Sequence, residues 1–130
     1  MSNPRIRARL WVDACLAACR SRGVMAAVLA SGDPDSGSVL IKWRPPGGQG
    51  AVLTRMPGVD GERIWVRATG PENAAEQTCD EYWKRQRARD PDIWVLEIES
   101  DELWHPLDEP LEESQPTPSD AESLFRQTGR

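Results

Sequence analysis

Three clusters of turn-forming residues punctuate the first half of the chain, and their spacing leaves room only for short strands between them. Ser31-Gly-Asp-Pro-Asp-Ser-Gly37, Pro45-Pro-Gly-Gly-Gln-Gly50 and Pro57-Gly-Val-Asp-Gly61 mix residues that tolerate positive φ with residues that fix φ or bond their own backbone. Around them lie four candidate strands: Val24–Ala30, Val39–Arg44, Ala51–Met56 and Arg63–Ala68. Connections this short join antiparallel neighbours, so the spacing predicts a meander. Val24–Ala30 is apolar throughout, the pattern of a strand covered on both sides or centrally placed. In the next run Val39, Ile41 and Trp43 alternate with Leu40, Lys42 and Arg44.

Helical spacing brackets this β region. From about Ala8 to Arg22, Leu10, Ala14, Ala17 and Ala18 recur at helical intervals, with Trp11 and Cys15 widening the stripe. Arg20 and Arg22 suit the negative helix end, and Gly23 suits a left-handed cap. Ile6–Val12 also alternates with Arg5, Arg7 and Arg9, so an extended start is equally compatible. Thr69-Gly-Pro-Glu72 has the form of a capping box. The helix it would open carries Ala75, Cys79, Tyr82, Trp83 and Gln86 on one side and ends in Arg85, Arg87 and Arg89 before Asp90-Pro91. Ile93–Ile98 is apolar on both faces and is expected inside the sheet. The predicted fold class is α+β: an antiparallel sheet of four or five strands with two helices mainly on one face.

At 130 residues there is room for one domain, expected over residues 1–110, whose body could bury about two-thirds of its unfolded surface. From Pro110 the composition turns to Glu, Ser, Pro, Thr and Gln, too polar to repay ordering. A disordered acidic tail is therefore expected over 111–130, with Ser119-Asp-Ala-Glu122 able to cap a short helix bearing Leu124 and Phe125. Six tryptophans carry the aromatic mass, and the indole N–H places several of them at the core edge. No apolar run approaches the roughly 20 residues that span a bilayer, and no apolar segment follows the basic start as in a signal peptide. Three cysteines fit a reducing compartment. Together these predict a cytoplasmic protein without a membrane partner.

The net charge of −5 hides a split: residues 1–89 hold 14 basic against 9 acidic groups, whereas 90–125 hold 12 acidic and no basic ones. Either the basic body meets a polyanion or its own acidic end neutralises it.

Several segments together resemble a bacterial, mainly alphaproteobacterial family, domain of unknown function 1491. They are Leu10-Trp11-Val12, Gly32-Asp-Pro-Asp-Ser-Gly37 running into Val39-Leu-Ile-Lys42, Trp65-Val-Arg-Ala-Thr-Gly-Pro-Glu72, Arg85-Gln-Arg87, and Asp90-Pro-Asp-Ile-Trp-Val95 with Glu97. The resemblance spans about Leu10 to Pro110. It implies a compact bacterial domain and carries no catalytic residue with it.

No motif bears a mechanism. An EF-hand loop opening at Asp33 and Asp35 would need an oxygen ligand and a Glu where Gly37 and Arg44 stand. A turn closed by Asx hydrogen bonds is the simpler reading. Cys15 and Cys19 lack further ligands for zinc and read as small buried thiols. His105, the single histidine, has no nucleophile-elbow partner, and the 45–50 glycines lack the ending of a phosphate loop. No catalytic residue, metal or cofactor is assigned.

Strand parity carries the remaining expectation. If Ile64, Val66 and Ala68 face the helices, Arg63, Trp65 and Arg67 face away, with Leu40, Lys42 and Glu97 able to share that side. The arginines could simply pair across strands with Glu97 or Glu99. Alternatively Lys42, Arg63, Trp65 and Arg67 form an open surface for an unknown protein or anionic ligand, which makes the chain a non-catalytic interaction or regulatory module. A second reading is a small enzyme with a ligand site at Asp33, Asp35, Thr69, Gly70 and Glu72, where free N–H groups could hold an anion. A third is a nucleic-acid accessory protein whose acidic tail competes for the basic body.

Overall fold

A computed structural model describes residues 7–57, 63–101 and 111–112. Helix α1 (Ala8–Ser21) leads into strand β1 (Met25–Ala30), followed by β2 (Val39–Arg44), β3 (Gln49–Pro57) and β4 (Arg63–Arg67). A two-residue β5 (Ala74–Ala75) precedes helix α2 (Glu76–Arg89), and β6 (Trp94–Glu99) and β7 (Leu111–Glu112) complete the chain order. The sheet order is β1-β6-β2-β3-β4-β7, with β5 on β3.

The α+β class is as predicted, and β6 lies inside the sheet as its two apolar faces require. Of the four-strand meander, β2-β3-β4 forms, whereas β1 does not pair with β2 because β6 lies between them. Two further features differ. The sheet is mixed, because β6 pairs parallel to β2 while pairing antiparallel to β1. A chain that leaves β4 through α2 returns in the direction of β2, and a helical crossover of that kind delivers a parallel strand. The helices also take opposite faces. α1 supplies Trp11, Val12, Cys15 and Cys19 to a cluster with Val39, Ile41, Trp43, Leu53, Trp65, Leu96 and Ile98. α2 supplies Cys79, with Tyr82 and Trp83 at its margin, to a cluster with Leu40, Val52, Ile93 and Val95. One helix precedes the sheet and the other crosses over it, so nothing in the connectivity obliges them to share a side.

The buried stripe of α1 is rotated from the expected one: Leu10 is 60% exposed, while Trp11, Val12 and Cys15 face inward. The helix begins at Ala8 after an extended Arg7 (φ −61°, ψ 145°), which decides between the two starts open to the sequence. It ends as expected, with Gly23 at φ 70° and the Val24 N–H donating to the Cys19 carbonyl. α2 starts seven residues beyond Thr69, with Ala75 at its N-cap and no side-chain cap. The would-be capping residue is engaged elsewhere: Thr69 Oγ accepts from the Val52 N–H at 3.2 Å, and Ala74–Ala75 pair with Gln49–Gly50.

The apolar run that reads as a covered strand forms β1, and it lies at the end of the sheet with four of its six residues exposed. At the other edge, Leu111–Glu112 of the expected tail pair parallel to Trp65–Val66. The expected helix near Ser119, together with Trp104 and His105, lies outside the described residues. Among the described residues no helix is long and apolar enough to cross a membrane.

Candidate functional site

The four residues expected on one open face do not meet there. The parity of β4 is as read, since Arg55, Trp65 and Leu53, Arg67 stand opposite each other across β3 and β4, on the side of Ile41 and Trp43. That side is the one α1 covers. Trp65 is 0% exposed, its ring 5.6 Å from that of Trp11, and the Arg55 guanidinium lies 5.0 Å and 5.4 Å from the two ring centres. Arg67 sits over Trp43 at 5.9 Å and donates to Asn73 Oδ1 at 2.9 Å. The Arg63 side chain lies outside the described residues. A cation–π stack does form on Trp65, and Arg55 makes it, inside the α1 layer.

Lys42 points the other way, with Leu40, toward α2. It is 4% exposed, the buried charged side chain of the described core. Its ammonium has three N–H donors and meets three carboxylates: Asp80 at 2.7 Å, Glu76 at 2.9 Å and Glu97 at 3.0 Å. Glu76 and Asp80 are four apart on α2 and so share a helical face, whereas Glu97 stands directly beside Lys42 on β6. Arg44 extends the network to Glu76 at 3.2 Å and Glu99 at 2.9 Å, and Trp83 Nε1 donates to Asp80 at 3.0 Å. Glu97 and Glu99 are the acceptors expected for cross-strand pairing. The cations are Lys42 and Arg44 rather than the β4 arginines, because β6 lies beside β2.

Burial works against the Lys42 ammonium, but the hydrogen bonds it donates to Asp80, Glu76 and Glu97 outweigh it and hold its pKa above the ordinary lysine value. The hydrogen bond from Lys42 lowers Glu76. For Asp80, burial raises the carboxyl and is overcome by the bonds from Lys42 and Trp83, so the net shift is downward. A lysine with every donor engaged and its proton held this firmly has no lone pair to offer as nucleophile or base. Burial likewise pushes the Cys79 and Cys19 thiols up, away from reactive thiolate. Glu76 and Asp80 were visible in sequence as an i,i+4 acidic pair. With Lys42 the one charge in Val39–Trp43, that was the available signal for the cluster.

The Asp33–Gly37 loop closes on its own backbone and side chains. Asp33 Oδ2 accepts from the Ser36 N–H at 2.8 Å, the Asp35 N–H at 3.1 Å and Ser36 Oγ at 2.9 Å, which lowers its pKa. Its carbonyl takes the Trp94 indole N–H at 2.8 Å, while the Pro34 and Asp35 carbonyls receive the first amides of α1. A Cβ on Gly32 would come within 2.0 Å of the Asp92 carbonyl, which is why the loop can close this tightly. This loop lies at the Val39 end of β2. Thr69 bonds Val52, opposite Lys42 on β3, and Gly70 (φ 108°) and exposed Glu72 follow it. The two parts of the expected anion site are thus separate. A depression of about 320 Å³ lies at the far end of β2, lined by Arg44, Pro45, Glu99 and Asp101 with Met25 at the start of β1.

That depression borders β1, a strand with no fully buried residue. β1 is Met-Ala-Ala-Val-Leu-Ala, with Met25 69%, Val28 39% and Leu29 36% exposed. Its inner side pairs with β6, with one irregularity between Val28 and Ala30. Among the described residues no strand pairs with its outer side.

The fold and its sequence match one family across residues 6–108, that of protein of unknown function DUF1491. The chain belongs to that family. A crystal structure of a DUF1491 protein from Caulobacter crescentus CB15 is 33% identical, covers 83% of this chain and 100% of its own, and superposes with a TM-score of 0.75. An NMR structure of a DUF1491 protein from the same organism gives 32%, 85%, 99% and 0.73. The solution structure of protein Atu0922 from A. tumefaciens shares the fold at 22% identity, over 86% of this chain and 100% of that one, with a TM-score of 0.70. No curated protein matches the chain.

Proposed function

We propose that this DUF1491 domain is a non-catalytic interaction module that docks a protein partner along the β1 edge of its sheet. The observation that carries the reading is β1 itself: six apolar residues at a sheet end, mostly exposed and without a charge or proline to discourage pairing. Soluble folds protect such edges with lysines, prolines or covering segments, and strand addition to an open edge is a recurrent mode of recognition. The expected site on Lys42, Arg63, Trp65 and Arg67 has no part in this reading, because α1 and α2 cover Trp65 and Lys42. Engagement of Lys42 by three carboxylates supports a structural role for it. Three buried cysteines outside any disulfide are in keeping with a reducing, cytoplasmic setting.

A photo-crosslinking residue placed at Val28 of the full chain, in an alphaproteobacterial host, tests the reading. Adducts are expected at Val28 and not at Arg85, an exposed position on α2. Equal labelling at both positions, or none at Val28, rejects docking at this edge.

A further inference from the structure

Resting on that reading, we infer that the occupant of the β1 edge is a second copy of this chain, paired antiparallel across a two-fold axis to make one continuous sheet. The argument comes from the ends of the strand. The chain enters β1 from Arg20-Ser-Arg22 and leaves it into Asp33-Pro-Asp35, so the two flanking segments begin about three residues from the strand and carry opposite charge, while Glu99 and Asp101 lie inward of Met25, on β6 and just after it. Antiparallel self-pairing sets the basic entry of one copy beside the acidic exit of the other, twice by symmetry, whereas parallel pairing would set like beside like. Arg20 is exposed in the last turn of α1. Asp35 is exposed and has Arg7 at 3.7 Å, too long and open a pair to neutralise it.

The apolar middle is self-complementary as well. About a centre at Ala27, Met25 of one copy faces Leu29 of the other and Ala26 faces Val28, so the exposed side chains of the strand cover one another. The irregularity at Leu29 leaves Met25–Val28 regular, enough for the central ladder. Six residues per copy place the contact near the lower end of specific interfaces, which makes the dimer concentration-dependent rather than obligate.

Sedimentation equilibrium on the full chain from about 1 µM to 1 mM tests this. A monomer–dimer equilibrium is expected, and Met25→Lys or Leu29→Lys should weaken it more than about tenfold while leaving the circular dichroism unchanged. Arg20→Glu and Asp35→Arg should each weaken it, and the two together should restore it. A monomer throughout overturns the dimer, as does association that survives both lysine variants or a charge-swapped pair that fails to recover. Crosslinks from Val28 to a different protein, with a monomer in the centrifuge, sink the dimer and leave the docking reading standing. No crosslink at Val28 removes both.

Discussion

The two faces of the sheet are covered by helices of equal length, yet they are held by different forces. On the α1 side β2, β3, β4 and β6 all contribute carbon: Ile41, Trp43, Leu53, Trp65, Leu96 and Ile98 close around Trp11, Val12, Cys15 and Cys19. On the α2 side the apolar cluster covers one end of the face, and the other end is a lysine ringed by carboxylates. The α1 side therefore draws its stability from area and packing density, which any truncation reduces. The α2 side draws part of its stability from a match of charges that fails if any one of them is left alone. The largest effect should follow from breaking the first. Trp65→Ala removes a fully buried indole stacked on Trp11, and a loss of about 3–5 kcal/mol is expected in urea unfolding. A loss below about 1 kcal/mol would show that α1 does not cap Trp65 in solution.

Lys42→Met tests the other face. The change nearly conserves volume, so packing is preserved while Asp80, Glu97 and Glu76 lose their shared cation. Removing one partner of a fully buried ion pair costs about 3–5 kcal/mol. These carboxylates retain some solvent, with side-chain exposures of 31%, 17% and 38%, which lowers the expectation to about 2 kcal/mol. Adding Glu97→Gln to Lys42→Met should recover part of that loss by relieving the innermost carboxylate. If the double variant is no better than the single one, the charges are not coupled in the way the geometry requires.

This difference between faces also explains what could be read from sequence. The elements were legible because they rest on local rules: turn clusters between strands, helical spacing in α1, the Gly23 cap and the two-sided apolar pattern of β6. What each face would meet was not, because it depends on strand order. β6 inserts between β1 and β2, which places Glu97 beside Lys42 and Glu99 beside Arg44 and moves β1 to the edge. Nothing within Val24–Ala30 distinguishes a strand buried by its own fold from one that needs a neighbour. Alternation correctly separated Trp65 from Val66, but it counts sides and does not say which side a helix occupies. The capping box at Thr69 failed for a similar reason. A hydroxyl that could cap a helix locally found the Val52 amide across the sheet.

Acid should separate the faces without any substitution on the α1 side. Glu76 and Asp80 have lowered pKa values in the folded chain. Their contribution is present above the ordinary carboxylate range and is lost as pH falls through the lowered values. The midpoint of thermal unfolding should therefore drop below about pH 4. In Lys42→Met the carboxylates lose the cation they share, and the acid slope should flatten. Some slope remains, since Asp33, lowered by its own loop amides, titrates in both proteins. At the alkaline end the shifts run upward: Lys42 and the Cys19 and Cys79 thiols are raised. Stability from these groups is complete below their ordinary values and declines as pH rises toward the folded ones. Alkali thus loosens both faces, and acid loosens the α2 side together with the Asp33 loop. An acid slope identical in the wild type and Lys42→Met would place the sensitivity elsewhere.

The smallest effect belongs at the outer end of the same network. Arg44 pairs with Glu76 at 3.2 Å and Glu99 at 2.9 Å, close to the distances of Lys42, and on distance alone the two cations would be worth nearly the same. Arg44 is 40% exposed and so are its partners, within a few per cent, so water already solvates every member when the pair opens. Arg44→Gln should change stability by less than about 0.5 kcal/mol at moderate salt. Salt should erase even that, while most of the Lys42→Met deficit should persist at the same ionic strength, because a pair whose cation is buried is less screened than an exposed one. The ratio of the two effects, read in parallel denaturations at low and high salt, measures how far burial rather than proximity sets the worth of a charge on this face. If Arg44→Gln costs as much as Lys42→Met, the network is equally dry along its length and α2 packs closer to the sheet end than its half-exposed carboxylates indicate.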